Sequence, residues 1–332
     1  MRFDLRRRDF ITLLGGSAAV LWPLAARAQQ PAMPMVGFVT GLSSNYVTGR
    51  KPAFRRGLRE VGYVEGQNVL VEYHSVEGQS DRLSGVVTDL IERKVAVIVA
   101  VGGTDPAKAA KAATTTIPIV FISAADPLGA GIVTRLNRPE GNITGVSILG
   151  TSLEAKRLGL LHDIVPGTSP IGVLVNPGFS DADLELREVE EAAGLVRRQI
   201  HVVHASAESE FEGAFANLAR QSVGGLLIAS DPFFASHRDQ LVALAARYKL
   251  PTMYHQREFS EAGGLVSYAP DFAEGYRQGG VYAGRILKGA TPADLPVMQS
   301  SKFEFVINLK TAKELGVKFS DNVLSLADEV IE

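Results

Sequence analysis

Val95–Val101 (VAVIVAV) and Ile117–Ile122 (IPIVFI) are apolar at nearly every position. A strand with one wet face alternates, whereas a continuous apolar run belongs to a parallel sheet covered by helices on both faces. Met35–Thr40 (MVGFVT) is a third such run. Amphipathic stretches lie between them. Pro52–Val61 puts Phe54, Leu58 and Val61 on one helical face. Val69–His74 alternates as a strand, and Asp81–Glu92 reads as a helix opened by Asp81. Strands alternating with helices imply right-handed βαβ units and an α/β fold built on an open, twisted sheet.

The pattern then restarts. Strands are expected at Ile171–Val175, Ile200–His204, Gly225–Ala229 and Pro251–Tyr254, with helices over 183–196, 209–220 and 234–248. Matching strand starts in the two halves are offset by 136, 131, 130 and 134 residues, so two lobes of one design are expected. The remainder holds a strand at 265–268, a helix at 272–287, a strand at 303–309 and a short helix at 310–315. It is expected to return to lobe one and then close lobe two. That assigns 35–145 with 269–298 to lobe one and 148–266 with 303–332 to lobe two. Crossovers then fall near 142–150, 264–270 and 297–303.

The length of 332 residues fits about two domains. Cysteine is absent, which excludes disulfides, Cys-ligated zinc, iron–sulfur clusters, a thiol nucleophile and a lipidated cysteine. The net charge is −2 and the pI about 6.3, so no basic field invites nucleic acid. Residues 1–28 read as an export signal: Arg6, Arg7 and Arg8, an apolar core from Phe10 to Leu24, then Ala26-Arg27-Ala28 as a small-x-small cleavage pattern. Arg7-Arg8-Asp9-Phe10-Ile11 is similar to a twin-arginine motif. The leader carries five Arg and two Asp, so its removal after Ala28 leaves a chain of net charge −5. With no membrane anchor left, the expected compartment is the periplasm.

Four expected strand ends carry Asx-Pro pairs: Asp105-Pro106, Asp126-Pro127, Asn176-Pro177 and Asp231-Pro232. Helix capping accounts for each, because Asx satisfies free N–H groups and Pro suits the first helical position. Their placement adds a functional reading, since open α/β sheets bind ligands at the carboxyl ends of their strands. Gly102-Gly103-Thr104 would let the backbone approach a ligand closely. The chain has no G-x-S-x-G elbow, H-E-x-x-H, Walker A loop or G-x-G-x-x-G. No catalytic residue, metal site or cofactor is assigned.

Five stretches carry a family resemblance: AFRRGLREVGYVEGQNV (53–69), AKAATTTIPIVF (110–121), DPLGAGIVTRLNRPEGNITGVS (126–147), REFSEAGGLVSYAPD (257–271) and LKGATPADLPVMQSSKFEFVINLKTAKELGV (287–317). The chain resembles periplasmic substrate-binding proteins of ABC importers, in the branch associated with tryptophan, tyrosine and phenylalanine. The resemblance implies a type I periplasmic-binding fold: two Rossmann-like lobes with parallel sheets, joined by a three-stranded hinge that closes on ligand. It also implies a small-molecule ligand, a permease and an ATPase as partners, and a monomer. For an α-amino acid, Thr104, Ser123 and helix N-termini are expected to hold the carboxylate. Asp231, then Asp126, is expected to hold the ammonium. Tyr254, Tyr268 and Phe233 offer stacking surface. Thr40, Ser43 and Ser44 are expected at the lip, with Gly103 and Asn176 at strand ends and Glu258 at the rim or hinge. The alternatives are a sensory module that presents ligand to a signalling receptor, a transcription regulator of the same design, and an exported hydrolase or isomerase using Asp105, Asp126 and Asp231.

Overall fold

A computed structural model describes residues 33–149, 153–165 and 167–332. The expected leader lies outside them. Pro34–Glu332 forms one compact unit. In its first half, strands β1 (Met35–Thr40), β2 (Leu70–Ser75), β3 (Val97–Val101), β4 (Ile119–Ser123) and β5 (Ile143–Ser147) alternate with helices α1 (Ser44–Thr48), α2 (Lys51–Glu60), α3 (Leu83–Glu92) and α4 (Asp105–Ala113). The second half holds β6 (Ile171–Val175), β7 (Ile200–His204), β8 (Gly225–Ile228), β9 (Thr252–Tyr254) and β10 (Val266–Pro270). Its helices are α5 (Glu154–Ile164), α6 (Ala182–Leu195), α7 (Phe211–Arg220), α8 (Pro232–Ser236), α9 (Arg238–Arg247) and α10 (Arg257–Glu261). The chain ends with α11 (Phe272–Leu287), β11 (Met298–Gln299), β12 (Phe303–Asn308), α12 (Leu309–Leu315), α13 (Asp321–Ser325) and β13 (Glu329–Ile331).

Two sheets result. Their orders are β2-β1-β3-β4-β5-β11 and β7-β6-β8-β9-β10-β12-β13. The first five strands of each follow the same order, so the half-repeat expected from the offsets is a repeat of topology. Every ladder is parallel except β10 with β12. The continuous apolar runs are the fully buried β3 and β4, while β2 and β7 each lie at one edge. The chain passes between the sheets three times: after β5, at Asp271 between β10 and α11, and at 300–302 between β11 and β12.

Helix α11 follows β10 of the second sheet but packs on β3, β4, β5 and α2 of the first. Its glycines make that possible. A Cβ on Gly57 of α2 would sit 1.8 Å from the Arg277 carbonyl oxygen, and one on Gly280 would sit 2.1 Å from the Phe54 carbonyl oxygen. The two helices therefore meet backbone to backbone.

Some local expectations change. Ser80–Arg82 forms a 3₁₀ turn, and α3 begins only at Leu83, so Asp81 does not cap it. The helix expected over 234–248 is two helices broken at His237. Asp231 caps the first of these with Pro232 at its first position, which starts it two residues early. Of the four Asx-Pro pairs, Asp231 is the one that caps a helix with its side chain. Asp105 lies inside the first turn of α4, whose N-cap is Thr104. Asp126 and Asn176 close turns, accepting from the Leu128 and Gly129 amides and from the Gly178 amide.

Candidate functional site

In both sheets the strand order reverses at the first strand of the half, so the crevice of each opens between β1 and β3 and between β6 and β8. The segments leaving those four strands face one another. Gly41, Leu42 and Ser43 follow β1, and Gly102 and Gly103 follow β3. From the second half come Asn176, Phe179 and Ser180 after β6, and Asp231, Pro232 and Phe233 after β8. Together they enclose an outer chamber of about 320 Å³. An inner chamber of about 30 Å³ continues beyond Leu42, Gly103, Phe179 and Asp231, and is walled by Tyr46, His255, Phe272 and Tyr276. Gly102 has φ +83°, and a Cβ there would lie 2.5 Å from Leu42. Only glycine lets the β3 loop turn so close to the β1 loop.

Asp231 stands where the chambers meet and is 3% exposed. Its Oδ1 accepts from the Phe234 amide at 2.9 Å and its Oδ2 from Asn176 Nδ2 at 3.0 Å. Burial pushes its carboxyl up to about 6, against the opposing pull of these donors. The native state thus keeps a proton that the unfolded chain has lost. That stability is complete below about pH 4 and is lost as pH rises to about 6. Above that the ionised group costs about 3 kcal/mol. Asp231→Asn keeps a capping side chain but faces the Asn176 amide with a second donor, a loss of about 1 kcal/mol. The net expectation is a melting temperature several degrees higher than wild type at pH 7.5. The gain should vanish at pH 4, and thermal denaturation at the two pH values checks it.

Behind Asp231 lies a buried acidic layer. Glu154 accepts from the Ser230 amide at 3.0 Å and pairs with Arg157 Nη1 at 2.5 Å, both side chains being fully buried. Arg157 also donates to the Tyr268 carbonyl oxygen at 2.8 Å. Glu185 is 1% exposed and its Oε1 has no hydrogen-bond partner. Burial and then the Glu154 charge hold Glu185 well above the usual carboxylate range. Asp181 is 7% exposed, and its Oδ2 is unpartnered. His255 is fully buried, and desolvation holds its ring well below the ordinary histidine range, as the neutral form.

The halves touch on either side of the chambers. Thr104 Oγ1 donates to Asp181 Oδ1 at 3.3 Å. Arg50 Nη2 donates to Gln256 Oε1 at 2.9 Å and to Glu258 at 3.2 Å, with its guanidinium 3.8 Å from the Tyr46 ring centroid. Gln256 Nε2 donates to the Tyr46 hydroxyl at 2.8 Å.

Of the residues expected at the site, Ser43, Gly103, Asn176, Asp231 and Phe233 line the chambers. Ser43 does so while capping α1 at the Tyr46 amide. Thr40 is buried, and its hydroxyl accepts from the Leu42 amide, shaping the loop without lining it. Ser44 donates to Glu77 through both its amide and its hydroxyl. Ser123 donates to the Gly103 carbonyl oxygen at 2.9 Å and supports that loop from behind. Thr104 bridges to Asp181 as described. Asp126 is outside the chambers, and its oxygens are spent on its own turn. Tyr254 is fully buried and stacks on Phe259 at 4.6 Å, within the apolar cluster that holds Phe215 and Leu241. Tyr268 stacks on Phe303 at 6.1 Å, and only its carbonyl turns toward Arg157. Sequence reasoning missed Tyr46, Phe179, Phe272 and Tyr276. Phe272 and Tyr276 are four apart on α11, a spacing also expected of a core face.

Among the described residues no cluster of three or more His, Asp or Glu is placed to hold a metal, and no helix is long and apolar enough to cross a membrane.

Residues 41–331 match the family described as ABC transporter substrate binding protein. A tyrosine-binding protein of Clostridioides difficile is 26% identical over 82% of this chain and 79% of that protein. A conserved domain protein of Vibrio cholerae superposes with a TM-score of 0.81 at 25% identity, covering 90% of this chain and 99% of the other. An ABC domain from Streptococcus pneumoniae, solved in complex with L-Trp, gives 0.79 at 25% identity over the same shares. A periplasmic binding protein fold is shared more widely, for example with a 5-methylthioribose-bound protein of Thermotoga lettingae at 13% identity, 88% and 92% coverage and a TM-score of 0.61. Such a protein binds a small molecule for a transporter and acts outside the cytoplasm. With a family match spanning nearly all of the described chain, and a cleft between two like-ordered sheets, the chain belongs to the ABC transporter substrate-binding proteins.

Proposed function

We propose that this protein captures a small aromatic, amine-bearing solute between two lobes and delivers it to the permease and ATPase of an importer. The observation that carries this is Asp231, a buried carboxylate at the junction of a larger outer chamber and an inner chamber walled by Tyr46, Phe179, Phe272 and Tyr276. The ring would enter the inner side as the lobes part, with the nitrogen on Asp231. The tyrosine-binding and tryptophan-bound relatives support the ligand class. The lobes divide at the crossings near residues 148, 271 and 300, and Glu258 sits at the rim on Arg50. The protein works as a monomer in the periplasm after cleavage following Ala28. It releases its solute chemically unchanged, and this separates it from an exported hydrolase or isomerase. The test is a thermal-shift screen of residues 29–332 after unfolding and refolding, with aromatic amino acids, aromatic amines, aromatic acids, sugars and polyamines. A shift with aromatic amine-bearing solutes, and their intact recovery, is expected. A shift confined to sugars or aliphatic polyamines would overturn this reading.

The Arg50 bridge is the closing contact in this reading. Arg50→Ala removes hydrogen bonds of about 1–3 kcal/mol together with the stacking on Tyr46. The unliganded variant is expected to open, read as a larger radius of gyration by small-angle scattering, and to bind its solute several-fold more weakly.

A further inference from the structure

The inner chamber is small and its wall is mostly apolar. Leu42, Ile122, Ile148, Phe179 and Phe272 form much of that wall. The volume of about 30 Å³ has room for roughly two water-sized groups. Apart from Ser230 and Asp231, four polar side chains reach it. Tyr46 comes from α1, Tyr276 from α11, and His255 and Gln256 follow β9.

Arg50 sets the direction of the first hydrogen bond. Its guanidinium only donates, so Gln256 turns Oε1 toward it at 2.9 Å and Nε2 toward the Tyr46 hydroxyl at 2.8 Å. The Tyr46 oxygen therefore accepts, and its own proton is left to give. Tyr276 is 2% exposed, and among the described residues its hydroxyl has no hydrogen-bond partner. Burial holds both phenols above the ordinary tyrosine range, so both keep their protons at neutral pH. His255 is fully buried, and neither ring nitrogen has a hydrogen-bond partner among the described residues. The ring is neutral, so one nitrogen carries a proton and the other a lone pair. The carbonyl oxygens of Ile228 and Asp231 attract the proton to their side, while Arg157 and Arg50 act on the ring only as charges. The lone pair is left for a donor that the protein does not supply.

This end of the cleft thus offers two O–H donors and one nitrogen acceptor in apolar surroundings, where an unmade hydrogen bond is costly. A carboxylate there would answer the phenols and leave His255 without a donor. An indole N–H would answer His255 and leave the phenols. A bare phenyl ring would answer neither. A hydroxyl answers all three, because it donates once and accepts through two lone pairs.

We propose that Tyr46, Tyr276 and His255 receive a hydroxyl carried on the solute's aromatic ring, which donates to His255 and accepts from the two phenols, and that they thereby select a phenolic amino acid over phenylalanine and tryptophan. The inference rests on the aromatic, amine-bearing solute proposed above and adds the group that leads its ring into the chamber.

Isothermal titration of the refolded mature chain with L-tyrosine, L-phenylalanine and L-tryptophan tests this. A site built to hydrogen-bond a hydroxyl discriminates strongly against the analogue lacking it, so L-tyrosine is expected to bind at least about tenfold more tightly than L-phenylalanine. It should also bind more tightly than L-tryptophan. Tyr276→Phe removes a buried hydroxyl that has no partner among the described residues, so the variant should melt no lower than wild type. It should bring the tyrosine and phenylalanine affinities to within about threefold of each other. His255→Leu, which removes the acceptor, should narrow the ratio in the same way. Equal binding of tyrosine and phenylalanine by wild type, or tighter binding of phenylalanine or tryptophan, would overturn the inference and leave the receptor role standing. So would a ratio that either variant leaves at its wild-type value while both amino acids weaken together. Failure of all three amino acids to bind would also overturn it, and a thermal-shift screen blank for every aromatic solute would then overturn the receptor reading as well.

Discussion

Asp231→Ala is expected to reduce affinity for an amine-bearing solute by 30-fold to several thousand-fold while the protein stays folded. Removing one member of a buried charge pair costs about 2–5 kcal/mol, most of it the penalty on the charge left unpaired. Stability runs the other way. The lost cap costs about 1 kcal/mol, but the ionised carboxylate already costs the native state about 3 kcal/mol at neutral pH. The variant should therefore melt no lower than wild type at pH 7.5 and bind far worse. Asp126→Ala is the matched control, since Asp126 also precedes a proline at a strand end but spends both oxygens on a turn outside the chambers. It should lose about 1 kcal/mol of stability and keep its affinity. Calorimetric titration of the two variants with one solute separates site from scaffold. Equal affinity loss in both would show that Asp231 holds no ligand.

A large stability effect is expected at Gly280, as at its counterpart Gly57. Its Cβ position overlaps the Phe54 carbonyl oxygen, which is main chain and has no rotamer to yield. Gly280→Ala must push α11 off α2, and overpacking of this kind costs about 1–3 kcal/mol or more. The larger Gly280→Val should exceed the alanine cost and lower the yield of soluble protein. Gly289, just past the end of α11, has φ +100° and nothing within 4 Å of a Cβ, so its substitution strains only the local backbone. Denaturant titration of the Gly280 and Gly289 variants should show the larger loss at Gly280. A smaller loss there would mean that the helices slide apart at little cost.

The fold was legible because burial on both faces leaves no alternation to hide. β1 coincides with its expected run, β3 falls within its own, and β4 overlaps its run and extends one residue past it to Ser123. The half-repeat survives as identical strand order. Strand ends were a weaker guide to the site. Of the four Asx-Pro pairs, Asp105, Asn176 and Asp231 border the outer chamber and Asp126 does not. The difference is topological: β4 lies away from the reversal point, and β3, β6 and β8 flank it. Tyr254 illustrates the same limit. It ends a strand, but its ring packs on Phe259 and closes over Gly264, 2.6 Å from where a Cβ would be. Which way a terminal ring turns depends on space that a distant residue leaves. The aromatics that do line the inner chamber come from α1, from the β6 loop and from α11, which reaches the cleft only through the second crossing.

The glycine-to-backbone contact of α11 and the position of β12 between β10 and β13 bear on how the molecule is made. Residues 35–147 emerge from the ribosome with one face of their sheet lacking α11 and β5 lacking its outer neighbour. Residues 153–270 emerge with β10 still an open edge. Both deficits are filled only by the last sixty or so residues, in alternation. The first half therefore cannot be completed before Gln299 is made, nor the second before β12 and β13 follow it. A nascent chain of this kind offers export machinery two unfinished halves for most of its synthesis, and a complete first half beside an open second one only over the last stretch.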